Sequence, residues 1–154
     1  MTPDLHKLEF KGPSRPIGEN RVQFYDVLFQ GEPVVIDIPR APACYRAEDH
    51  SVYLNVTGTQ LGNWFHILEN YTIGMVPDSR RSCLQSVFRW NIGTFATIRC
   101  KIMPDTRVYR TSVPIELHSD LDFTDCTCKI QIQNIQWNVK TYGLTLRVRE
   151  IHFP

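Results

Sequence analysis

Alternation of apolar and polar residues organises most of this chain. Along Thr94–Met103 the even positions Ala96, Ile98, Cys100 and Ile102 are apolar, while Phe95, Thr97, Arg99 and Lys101 take the odd ones. Cys128–Trp137 repeats the pattern, with Cys128, Ile130 and Ile132 against Lys129, Gln131 and Gln133. In Tyr142–Ile151, Leu144, Leu146 and Val148 oppose Thr145, Arg147 and Arg149. Period-two patterns predict half-buried strands, each with an inner apolar face and an outer face of cations, amides and hydroxyls.

Further strands are predicted at Val22–Phe29, Val34–Ile38, Ser51–Val56, Leu84–Trp90, Arg107–Arg110 and Val113–Leu117. Gln30-Gly31-Glu32-Pro33 is turn chemistry and makes the first two a candidate hairpin. Pro39-Arg-Ala-Pro42 predicts a loop, because proline lacks the amide donor that a central strand needs. Asp120–Asp125 and Asn138–Thr141 read as connections. One segment has helical spacing: Leu61, Trp64, Phe65, Leu68 and Tyr71 recur at three and four residues, with Thr59 as N-cap and Gly74 just beyond. Residues 1–20 hold three prolines, two glycines and no period, so they read as an irregular N-terminal arm. The expected architecture is mainly β, a small barrel with one interposed helix, in a single domain over residues 21–154.

The 154 residues suffice to bury a core without staples. No signal-like N-terminus and no run of about eighteen apolar residues occurs, so the expectation is an intracellular protein that is neither secreted nor membrane-bound. Five cysteines, an odd number whose one close pair is Cys126-Thr-Cys128, predict reduced thiols and no zinc site. The sequons Asn55-Val-Thr57 and Asn70-Tyr-Thr72 would matter only in a secreted chain.

The net charge is only +1, but it is segregated. Acids cluster in Glu48-Asp49 and His118–Asp125, whereas Arg80, Arg81, Arg89, Arg99, Lys101, Arg107, Arg110, Lys129, Lys140, Arg147 and Arg149 dominate the second half. Aromatics stand near these cations: Phe95 by Arg99 and Lys101, Tyr109 between Arg107 and Arg110, Trp137 near Lys140 and Tyr142. Cations for phosphates and flat rings for bases are what single-stranded nucleic acid requires. The candidate contacts are therefore Phe95, Arg99, Lys101, Arg107, Tyr109, Lys129, Trp137, Lys140, Tyr142, Arg147 and Arg149, although charged residues on half-buried strands are commonly just solvated. The five histidines lack metal spacing, and no Walker A loop, GxGxxG or GxSxG occurs. Neither a catalytic site nor a cofactor is expected.

Glu32-Pro-Val-Val-Ile-Asp-Ile-Pro39, Tyr53-Leu-Asn-Val56 before the helix, and Ile135-Gln-Trp137 through Tyr142-Gly-Leu-Thr-Leu-Arg147-Val resemble single-stranded DNA-binding proteins of large eukaryotic DNA viruses. Those proteins are similar to the OB-fold single-strand binders of phage replication. The resemblance covers roughly residues 22–151. It implies an OB-type barrel that coats single-stranded DNA, or RNA, during viral replication, recombination or repair, at the host nucleus or a cytoplasmic replication site. Replication proteins and further copies of the chain would be its partners. The phage relatives carry an acidic C-terminal tail; here the chain ends Ile151-His-Phe-Pro154, and the acidic stretch 118–125 is the segment that could stand in for it. Two other classes fit the same pattern. A viral structural or scaffold β-domain would contact proteins without nucleic acid, and a hydrolase or nuclease would use the acidic stretch with a divalent ion.

Overall fold

The structure, a computed structural model, describes residues 2–77, 83–89 and 96–154. In chain order the strands are β1 (Leu8–Lys11), β2 (Gln23–Phe29), β3 (Glu32–Arg46), β4 (Ser51–Asn55), β5 (Phe88–Arg89), β6 (Thr97–Arg110), β7 (Val113–Pro114), β8 (Leu121–Trp137) and β9 (Tyr142–Phe153). The single α-helix among the described residues, α1 (Gln60–Ile73), lies between β4 and β5. It is not long and apolar enough to cross a membrane.

The fold is mainly β, and its centre is a ring of hydrogen-bonded strands. The path β3-β4-β6-β9-β8 returns to β3 through a β3–β8 pairing. All of these pairings are antiparallel except β6–β9, which is parallel. Ile36, Ile98, Ile130, Ile132, Leu146 and Val148 fill the ring, and α1 adds Trp64, Phe65 and Leu68 to the same core. Full burial of each such side chain contributes about 1.5–3 kcal/mol. Of the inner-face residues read from alternation, Ala96 and Ile102 are only half-buried and the others are buried.

The helix matches its sequence signals at both ends. Thr59 is the N-cap, its hydroxyl accepting from the Gly62 amide, and Gly74 is the C-cap. Tyr71, however, is 53% exposed, outside the core that the spacing assigned it to; Phe10 tilts against it with ring centroids 5.8 Å apart. The β2–β3 hairpin also forms, with Leu28 opposite Pro33 and Phe29 opposite Glu32. Its two turn residues, Gln30 and Gly31, both have positive φ (53° and 78°), as a tight hairpin turn with the sheet's own twist demands.

Several boundaries differ from the sequence reading, each for a local reason. β3 does not stop at Pro39-Arg-Ala-Pro42. It continues to Arg46, with a register shift against β8 between Ile38 and Ala41. Along 34–42 the strand is paired with β8 alone, since its contacts with β2 and β4 lie at its two ends. A bulge on a strand with one open edge is where proline is tolerated. The acidic stretch is not a connection either: β8 begins at Leu121, and its carboxylates hold β3. Asp125 accepts from Arg40 at 2.5 Å, Asp122 lies 3.9 Å from Arg46, and Asp120 accepts the Ala47 amide at 2.9 Å. Arg107–Arg110 is the end of β6 rather than a separate strand, while β5 and β7 are two-residue remnants of longer expected strands. The N-terminal arm is partly ordered: β1 pairs with β2, and the Pro3 carbonyl accepts from the Trp64 indole at 3.0 Å.

Candidate nucleic-acid interface

Three strands of the ring change which parity faces the core. β3 buries Val34, Ile36 and Ile38, then Ala41, Ala43 and Tyr45; β8 buries Cys128, Ile130 and Ile132, then Ile135 and Trp137; β9 buries Leu146 and Val148, then Ile151 and Phe153. Each switch coincides with a register shift, because one extra residue in a bulge turns every later side chain to the opposite face. The outer face must therefore be read piecewise.

Trp137 follows such a bulge. It is 2% exposed and packs against Tyr25 with ring centroids 5.6 Å apart, so it belongs to the core and offers no face to a base. Phe95 lies outside the described residues. Thr97, expected outside, is buried, with β5 paired alongside it; its hydroxyl donates to the Arg89 carbonyl at 2.5 Å.

Arg99, Lys101 and Tyr142 do come together. They line a groove of about 200 Å³ with Arg89, Gln136 and Thr141. One wall is the segment 83–89, tied down at several points. Tyr142 donates its amide to the Cys83 carbonyl (2.9 Å) and accepts from the Gln85 amide (2.7 Å), while Arg99 donates its amide to Val87 (2.8 Å). Glu69, buried on α1, accepts from the Ser86 hydroxyl and from the Val87 amide, both at 2.7 Å. This clamp sets the position of Arg89 over the groove.

The groove is electrostatically uneven. Arg99 donates Nε to the Ser51 hydroxyl at 3.0 Å and lies 3.4 Å from Asp49, which also accepts the Tyr53 hydroxyl proton. Arg89 is held by carbonyls of its own segment, from Ser86 and Phe88. Burial and, next, the charge of Arg99 push the pKa of both Arg89 and Lys101 below the ordinary range. Lys101 has neither an ion pair nor a side-chain hydrogen bond among the described residues. A half-buried ammonium without a counter-ion, facing an arginine, favours occupation of the space by an anion.

The other candidates fall outside the groove. Arg147 sits opposite Lys101 on β9, but its guanidinium is engaged by Asp105 and mostly covered. Arg149 is exposed, lies in the β9 bulge and donates to Gln131 at 2.7 Å. Lys140 is exposed in the β8–β9 turn. Arg107, Tyr109 and Lys129 gather at the far end of the ring's outer face; Arg107 lies 3.9 Å from Glu150, Lys129 lies 3.9 Å from Asp37, and Tyr109 stacks on His152.

Sequence reasoning left Arg89 and His152 off the candidate set. Arg89 has a signal of its own, a cation in the alternating stretch Val87-Phe-Arg. His152 has none, since its outward direction depends on the bulge at Arg149. Among the described residues, no group of three or more histidine, cysteine or acidic side chains is placed to hold a metal ion. All five cysteines are free. Compared with protein-family models, curated proteins and solved structures, the chain matches none.

Proposed function

We propose that this protein is a non-catalytic binder of single-stranded nucleic acid, DNA in the first instance, working on an OB-type ring. The observation that carries the reading is Lys101: half-buried, without a counter-ion among the described residues, beside Arg99 and Arg89 in a groove that Tyr142 also lines. Phosphate supplies the missing charge, and a base can lie against the tyrosine ring.

The topology supports the OB reading. OB folds are five-stranded Greek-key barrels that bind oligomers on their second and third strands and on the loops joining strands one to two and four to five. Counted along the ring in chain order, β4 and β6 are second and third, and Arg99 and Lys101 belong to β6. Asp49 lies in the β3–β4 connection, and Thr141 in the β8–β9 connection.

The test is binding of labelled single-stranded DNA, duplex DNA and RNA twelve-mers across a salt series. The reading expects single strands to bind more tightly than duplex, with log K falling by about 0.7 per decade of salt for each phosphate neutralised. Absence of salt-dependent binding, together with a stable oligomer in solution, would instead favour the scaffold β-domain.

A further inference from the structure

Tyr109 and His152 are register partners across the parallel β6–β9 pair, and their rings stack with centroids 4.6 Å apart and planes 12° from parallel. The separation equals one strand spacing, about 4.8 Å, so the rings stand on the outer face like books on a shelf. The next strand over is β8, where Thr127 is the partner of His152. Beyond Thr127 is the bulge of β3, carrying Pro39. Threonine is too short to continue the stack, and its place is empty space: a cavity of about 230 Å³ whose lining includes Asp37, Pro39, Thr127, Lys129, Glu150 and His152. A neighbouring depression of about 470 Å³ shares Pro39, Thr127 and His152.

We infer that this gap is a nucleobase slot, in which one base of a bound single strand lies over Thr127 between the imidazole of His152 and the ring of Pro39. The inference rests on the single-strand reading above and adds a second contact to it. Two strand spacings, about 9.6 Å, separate the positions of His152 and Pro39, which is room for one flat ring between two others. Arg107 and Lys129 stand two residues along their strands from Tyr109 and Thr127, about 6.6 Å away, where the phosphate of the seated nucleotide would pass. Their side chains are 63% and 53% exposed; Glu150 between them is 18% exposed, while Asp37, 3.9 Å from Lys129, is 72% exposed, so Arg107, whose partner is the covered Glu150, is the cation more open to a phosphate. Lys101 and Tyr109 lie on the same strand, but the bulge between Ile102 and Arg107 shortens the way: their partners Arg147 and His152 are five residues apart on β9, about 16 Å, within reach of one strand of the roughly 4–16 nucleotides that a single OB fold covers.

Thr127→Phe tests the slot directly. The position is exposed and in a strand, where an aromatic residue is well tolerated, and the new ring fills the gap with the protein's own side chain. His152→Ala removes the platform instead, and thermal melting of both variants verifies folding. With a labelled twelve-nucleotide oligothymidylate, each variant is expected to bind about 5- to 150-fold more weakly than the parent with an unchanged salt slope, because stacking is uncharged. Fluorescence of 2-aminopurine in the oligomer should be quenched by the parent and not by Thr127→Phe. If the parent binds, Lys101→Met weakens binding, and both slot variants bind like the parent, the slot is refuted and the groove stands. If the parent binds no single strand at all, both are refuted.

Discussion

Lys101 and Arg147 face one another across the parallel β6–β9 pair, and among the described residues only Arg147 has a carboxylate, Asp105, to answer its charge. Two cations that strand alternation makes equivalent thus do different work. One is tied down by Asp105; the other, on the reading proposed above, meets the ligand.

Replacing them separately should show this. Lys101→Met is expected to keep or raise stability, by up to about 1 kcal/mol or roughly 2–4 °C in Tm, since it removes a half-buried charge with no partner among the described residues. It should also lower the salt slope of single-strand binding by about 0.7. Arg147→Met should lower Tm, because it strips Asp105 of its partner, and leave the slope unchanged. Equal slopes for both variants and the parent would remove Lys101 from the interface.

Glu69 supplies a second test, through the segment that carries Arg89. In Glu69→Gln the new amide group meets a donor, either the Ser86 hydroxyl or the Val87 amide, where the carboxylate accepted from both. A cost of about 1–3 kcal/mol is expected from the buried group left unsatisfied. Urea denaturation measures it. Binding should weaken as well, since Arg89 loses its fixed position; a variant that is destabilised but binds normally would show that Arg89 does not contribute.

Gly62 gives the third, and here propensity and packing disagree. Glycine inside a helix costs about 1 kcal/mol relative to alanine, so Gly62→Ala should stabilise on propensity alone. A Cβ at that position would instead stand 2.6 Å from the Val56 carbonyl oxygen, which is backbone and cannot move aside cheaply. Net destabilisation is expected in thermal melting; a higher Tm would mean that the helix start can shift away from β4.

The sequence carried the strands, the helix and its caps because alternation, helical spacing and capping are local properties. It could not carry the bulges. Nothing in Gln131-Ile-Gln-Asn134 marks the residue at which β8 turns its faces over, and so Trp137, grouped with the cations by proximity in the chain, belongs to the core. Pairing across the ring was equally invisible. The acidic stretch 118–125 read as a connection, yet two of its carboxylates pair with β3 and a third accepts the Ala47 amide just beyond it, all distant in sequence. Of the groove, Arg99 and Lys101 were legible as outward cations of one strand, but the lack of a counter-ion for Lys101 among the described residues is a property of the assembled sheet.

The last prediction concerns alkaline pH and the network beneath Arg99. Burial first, then the hydrogen bond to Asp49 and its charge, push Tyr53 up to about 12, against a pull from Arg99 and Arg89. An unfolded tyrosine titrates near 10, so between about pH 10 and 12 the unfolded chain loses a proton that the native state keeps. The native state then binds more protons, and stability falls as pH rises through that window, being fully present below it. Burial raises Cys44 and Tyr45 as well, so the parent should lose stability through the same alkaline range from several groups. Tyr53→Phe isolates one of them. Near pH 8 it should cost about 1–3 kcal/mol, the worth of a hydrogen bond to a carboxylate. Near pH 11 the gap to the parent should narrow, because phenylalanine has no proton to lose on unfolding. Urea midpoints of the two proteins at both pH values decide it; a gap that stays constant or widens would mean that Tyr53 ionises as readily in the native state as in the unfolded chain, and that its hydroxyl is not held by Asp49.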